Sequence, residues 1–328
     1  MRLPLLFLAA LLGWLCHASC TASCERRVQE VFRFDNNTFI ENLVSTTDGR
    51  LLLTSLSTNA LMVLDPAEPR PTAQTVLTLA NVTGLTGITH LGNDVYAVTG
   101  GRPASQPFLF ERGSMRLFVV SLPLGAVVAD MAVEGTAMMN GLASLKPQPH
   151  LVLSADSIEG RILRVDTRAQ TWDVAFSDDS LKPFNASVFP LGVNGLKYAR
   201  GHLYYTNSAR GTFSRIRVTD RGLRAGPAEP LAALEKPATD RFAYDDFDLD
   251  HRGNAYVSLH PSSVRRVSSR GLQSVFAEGG VGNVPPMYEV TATACDAGGS
   301  YLYIATGGSE QNPGGQILRA SLGETAVD

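Results

Sequence analysis

Cysteine, histidine and tryptophan are scarce in this 328-residue chain, at four, six and two copies. With so few, and with no Cys/His group at zinc-ligand spacing, a zinc module is excluded. Only 18% of residues are charged, none of them gathered in a basic run, and Lys+Arg 28 against Asp+Glu 31 leave a net charge of −3. Nothing here neutralises a phosphate backbone, so the sequence argues against a nucleic-acid partner. A Gly-rich phosphate loop and a GxSxG nucleophile elbow are also missing. Almost no stretch has a 3.6-residue period, and no apolar run beyond the N-terminal region approaches the roughly 20 residues of a membrane span. What is abundant is apolar surface: 44% hydrophobic residues exclude a disordered chain.

The N-terminus reads Met1-Arg2, an apolar run from Leu3 to Cys16, then small residues around Ala18 and Cys20. This is the pattern of a secretory signal peptide over residues 1–20, and it is short for a membrane anchor. Cleavage after Cys20 leaves Cys24 and Cys295, an expected single disulfide in an oxidising compartment. Sequons at Asn36, Asn81 and Asn185 agree with passage through the secretory pathway and an extracellular destination.

One pattern recurs six times: an alternating apolar segment, a turn with Gly or Pro, and a second alternating segment ending in Ser, Thr or Asn. The copies begin at Glu41, Thr86, Asn140, Asn194, Asp245 and Val290. Their turns, at Gly49, Gly92, Gln148, Gly201, Gly253 and Gly299, are separated by 43, 56, 53, 52 and 46 residues. Two-residue alternation with frequent turns means β structure throughout. Six units of this length predict an all-β, six-bladed β-propeller with four-stranded antiparallel blades around a central channel, filling 21–328 as one domain. A pair of β-sandwiches would not explain one motif repeated six times. The N-terminal segment is expected to complete the last blade, which would bring Cys24 to Cys295.

In such a ring the starts of the first strands converge on the axis. Glu41, Asn140, Asn194 and Asp245 therefore form an expected polar cluster, with Thr86 and Glu289 at the remaining positions. Oxygen ligands of this kind suit Ca²⁺ or Mg²⁺ and argue against Zn²⁺; equally, Asn and Asp before a strand serve as ordinary turn formers. The turns after second strands reach the same face, making Asp156, Asn207 and His260 rim candidates. His260 is the histidine best placed to act near neutral pH. Long loops bring Phe108, Phe110, Phe184, Phe189, Phe242, Met287 and Tyr288 over the mouth. Aromatic loops above a polar floor make a pocket for a sizeable small molecule.

These residues resemble the senescence-marker-protein/gluconolactonase family of six-bladed propellers, also called luciferin-regenerating-enzyme-like. The likeness rests on Glu41 of ENL, Asn194 of NGLKYARGHLYYTNS and Asp245 of YDDFDLD, and it covers essentially the whole chain after the leader. It implies that Glu41, Asn194 and Asp245 hold a divalent ion and that Asn140 of MNGLASL lies near the substrate. Two departures stand out: Met138 replaces an Arg usual in the lactonases, and Tyr244-Asp245-Asp246-Phe247 replaces their "PDG". The DDF-x-L-D form with a leader and sequons is similar to a fungal secreted branch that includes tropolone-sesquiterpenoid hetero-Diels–Alderases. The leading expectation from this resemblance is a monomeric pericyclase of secondary metabolism that requires no cofactor. It would join polyketide and terpenoid substrates, a tropolone quinone methide and a humulene-type sesquiterpene, with Asn140, Asn194, Asp245, His260 and Tyr288 as the acting residues. Phe108, Asp156, Asn207, Phe242 and Met287 would contact substrate. A metal-dependent lactonase and a non-catalytic binding propeller are the alternatives.

Overall fold

The computed structural model describes residues 28–35, 37–105, 109–184 and 189–323. Among them, 24 strands and a single 3₁₀ turn, Asp179–Leu181, are arranged as six four-stranded antiparallel sheets. Each repeat recognised in the sequence is the inner hairpin of one blade. The inner strands are Ile40–Ser45, Gly84–Gly92, Met139–Leu145, Val193–Ala199, Tyr244–Leu249 and Val290–Cys295, in blades one to six. Gly49, Gly92, Gly201, Gly253 and Gly299 take positive φ at the inner turns, a left-handed backbone that side chains with a Cβ rarely adopt.

Ring closure follows the sequence expectation. Val28–Arg33 is the outermost strand of blade six and pairs with Gln316–Ser321, from Val28↔Ala320 to Arg33↔Gln316. The first and last described strands thus lie in the same sheet. Its core consists of six apolar clusters, one in each interface between neighbouring blades. Alternation explains this, because each interior strand packs one face on the preceding blade and the other on the next. Every fully buried Leu, Val or Phe in these layers stabilises the ring by about 1.5–3 kcal/mol.

All six inner hairpins break register near the start of the inner strand: Ile40/Asn42, Leu85/Ile88, Met139/Leu142, Val193/Leu196, Tyr244/Phe247 and Val290/Ala292. A bulge sets two residues against one and re-aims them. In blade five, consecutive residues Asp245 and Asp246 therefore both reach the axis. Asp245 lines the upper mouth, while Asp246 accepts from Asn42 Nδ2 of blade one (2.5 Å) and from Lys197 Nζ of blade four (3.1 Å). In blades three and four the second position is glycine because the next inner strand lies against it. A Cβ on Gly141 would fall 2.6 Å from Leu196 N and 2.8 Å from Gly195 Cα. The repeated Asn-Gly-Leu is thus one polar group for the mouth followed by one strand-to-strand contact.

Several sequence expectations fall outside the described residues: the leader, Cys24, Asn36, Phe108 and Asn185. Cys295 is half-buried and pairs with no described residue. Asn81 is exposed on a turn, accessible to glycosylation.

Candidate functional site

At one mouth of the ring lies a cavity of about 550 Å³, within the range of small-molecule sites. Its floor carries Glu41, Asn140, Asn194, Asp245 and His260. Its walls are apolar, formed by Phe39, Leu56, Pro103, Leu109, Phe110, Met138, Phe189 and Leu191, and Asp240, Arg241 and Glu289 stand at the rim. Below the floor, the Asn42–Asp246–Lys197 cluster separates this cavity from a second one of about 400 Å³ at the opposite mouth; the two share no lining residue. The upper cavity is therefore a pocket rather than a channel.

The floor is a connected network. Asn194 Nδ2 donates to Asp245 Oδ1 (2.8 Å) and to Ser208 Oγ (2.9 Å), and Ser208 Oγ donates to the Tyr244 carbonyl (2.8 Å). The other oxygen of Asp245 lies 3.0 Å from His260 Nε2, and His260 Nδ1 lies 3.0 Å from Glu289 Oε2. One imidazole thus joins two carboxylates. His260 N–H donates to the Ala243 carbonyl (3.0 Å), which fixes the ring's root. Asn194 Oδ1 is buried without a hydrogen-bond partner among the described residues. Asn140 lines the same cavity.

The electrostatics follow from burial. Burial, reinforced by the charge of Asp245, holds the Glu41 carboxyl well above the usual carboxylate range. Asp245 is raised by burial as well, against the pull of His260. For His260, burial alone would lower the pKa, but its hydrogen bonds to Asp245 and Glu289 outweigh that and push it up to about 10.

These directions predict a pH dependence. Each group binds its proton more tightly in the folded than in the unfolded chain, so stability falls as pH rises. For His260 the contribution is complete below its ordinary value of 6.5 and is lost as pH passes about 10. The melting temperature should decline across that window more steeply for the wild type than for His260→Gln. Parallel profiles would mean that the ring carries no such proton.

As arranged, the floor does not fit a divalent ion. Asn194 turns its nitrogen, not its oxygen, toward Asp245, and both oxygens of Asp245 already have N–H partners. No group of three His, Cys, Asp or Glu among the described residues is spaced to hold an ion. Among the described lining residues there is also no nucleophile paired with a base. The Ser208 hydroxyl is held in the network above, and the ring nitrogens of His260 face only carboxylates.

Sequence reasoning placed some residues here that the structure puts elsewhere. Asp156 is fully buried and bonded to Arg161 Nε (2.8 Å), and Asn207 donates to the carbonyls of Ser180 (2.9 Å) and Lys182 (3.0 Å). The reason is phase. Asp156 and Asn207 pair with Met139 and Val193, which point into blade interfaces; one residue further on, Ser208 and His260 face the pocket. Phe242 packs between blades four and five, and Met287 between five and six. Tyr288 lies under the Arg33 guanidinium at 5.7 Å, with its N–H on Gln316. Phe184 is exposed. Phe110 and Phe189 do line the pocket. Arg241, Phe39 and Leu191 were missed; they sit on connections between blades, where no repeat marks them.

A ring of six four-stranded blades with an acid- and amide-bearing floor has the fold of the luciferin-regenerating-enzyme and gluconolactonase propellers. The luciferin-regenerating enzyme superposes with a TM-score of 0.64 at 14% identity, over 91% of this chain and 96% of that one. A gluconolactonase from Xanthomonas campestris gives 0.61 at 13% identity, over 91% and 90%. In sequence, the chain is 23% identical over 241 residues to a Phoma sp protein named "Putative hetero-Diels-Alderase", covering 66% of this chain and 68% of that protein. No family model matches the chain. The names of these relatives are those of enzymes.

Proposed function

We propose that this chain is a secreted, monomeric small-molecule enzyme, an intermolecular hetero-Diels–Alderase. Its substrates in this reading are a polyketide-derived tropolone quinone methide and a humulene-type sesquiterpene. The observation that carries the reading is the pocket itself: about 550 Å³, apolar on its walls, with hydrogen-bonding groups on its floor and rim and no nucleophile–base pair among its described lining residues. The 23%-identical Phoma relative supports it. A cycloaddition forms two σ bonds at the expense of π bonds and moves no proton, so it draws on no cofactor. Phe110, Phe189 and Leu191 would hold the terpene, replacing part of the entropy cost of bringing two molecules together. The Asn140 amide would donate to the heterodiene carbonyl as negative charge builds there.

The test is incubation of the two partners with the folded protein, before and after exhaustive chelation. Enantioenriched cycloadduct unaffected by the chelator is expected, with Asn140→Ala lowering the rate by about 10²-fold. A lactone hydrolase is the second reading, favoured by the convergence of Glu41, Asn194 and Asp245 on one floor. Lactone turnover abolished by chelation, without cycloadduct, would replace the first reading with it. No turnover of either kind would leave a binding propeller.

A further inference from the structure

The floor of the pocket holds an excess of acid around one base. Glu41, Asp245 and Glu289 all line the cavity, and His260 stands among them with Nε2 3.0 Å from Asp245 and Nδ1 3.0 Å from Glu289. The ring thus bridges the two carboxylates, one nitrogen on each.

Its position matters. An ion held by this floor would need an oxygen of Asp245 and the oxygen of Asn194 to converge. The imidazole occupies Asp245 Oδ2, and Asp245 Oδ1 holds the amide nitrogen of Asn194, leaving Asn194 Oδ1 turned away and unpartnered. The amide is kept in that orientation by Ser208, itself anchored on the Tyr244 carbonyl. The oxygens an ion would need are thus either occupied or turned away.

We infer that His260 stands in for a divalent cation in this pocket, its ring holding Asp245 and Glu289 together in the way a bound calcium or magnesium would. The inference is independent of which reaction the pocket performs. It concerns what occupies the acids of this pocket, and it makes His260 a positioning residue for Asp245 and Asn194.

The experiment uses the intact folded protein, passed through chelator and titrated with calcium chloride and, separately, magnesium chloride. Calorimetry, elemental analysis and melting temperature are read together. For the wild type we expect no stoichiometric metal, no binding heat and no shift in melting temperature. His260→Ala vacates Asp245 Oδ2 and opens it to an ion, for which the Asn194 amide would have to turn; it should gain one calcium-binding event per chain and a melting temperature that rises with calcium. Should His260→Ala fail to fold, His260→Gln is read by the same criterion, since its amide can donate to only one carboxylate at a time along a given direction. One equivalent of metal in the wild type would overturn the inference. So would a folded variant that, like the wild type, binds none, because something other than His260 would then be excluding the ion.

Discussion

Asp245→Ala is expected to cost about 3–5 kcal/mol of stability and to abolish turnover. The carboxylate accepts from Asn194 and lies 3.0 Å from His260, and its removal leaves a buried ring facing Glu289 alone and an amide held only by Ser208. Losing one partner of a buried, hydrogen-bonded charge pair costs more than the pair is worth, because the survivor stays desolvated. Asp245→Asn keeps the shape and one acceptor oxygen, so its cost should be nearer 1–3 kcal/mol, about that of an imperfectly satisfied buried polar group. Denaturant midpoints at unchanged slope would measure both. A midpoint for the alanine variant within experimental error of wild type would mean that the network contributes nothing to the fold.

The second large effect is expected at a residue with no side chain. Gly141→Ala places a methyl group 2.6 Å from Leu196 N and 2.8 Å from Gly195 Cα, against backbone that has no rotamer with which to yield. The inner strands of blades three and four must separate, and with them Asn140 and Asn194. We expect a loss of about 3 kcal/mol, the upper end for overpacking, together with loss of the pocket's activity. Gly226→Ala is the comparison. Its added Cβ meets only the Arg217 side chain at 3.2 Å, and it should shift stability by less than about 1 kcal/mol. Equal effects of the two substitutions would show that strand proximity is not the reason for the glycine.

The fold was legible in the sequence because each blade repeats the same hairpin with a turn glycine at the same place. The floor was legible for the same reason: Glu41, Asn140, Asn194 and Asp245 occupy one position in four copies. Sequence position in a hairpin gives the height of a side chain along the axis, but not the side of the strand on which it lies. The bulge in every inner strand shifts that phase by one residue, and this is why Asn207 was expected where Ser208 in fact lies and why Asp156 falls outside the pocket. Phe242, Met287 and Tyr288 come from loops, whose paths follow packing rather than alternation; each packs down onto a blade or an interface instead of over the mouth. Arg241, on the connection into blade five, carries no pattern at all and was visible only once the cavity was formed.

The pairing of Val28–Arg33 with Gln316–Ser321 also sets a timetable for biosynthesis. Val28–Arg33, the first of the described strands to be made, is the last to find its neighbour. At about 5–20 residues per second, it waits on the order of 15–60 s for residue 316 and beyond to emerge. Throughout that interval blade one can pack on blade two, and two on three, but the edge of blade six is missing and the ring remains an open arc with unpaired strand edges at both ends. Until Gln316–Ser321 emerges, the open arc is exposed to self-association at both edges, and chaperone attention to this protein should centre on the synthesis of that strand.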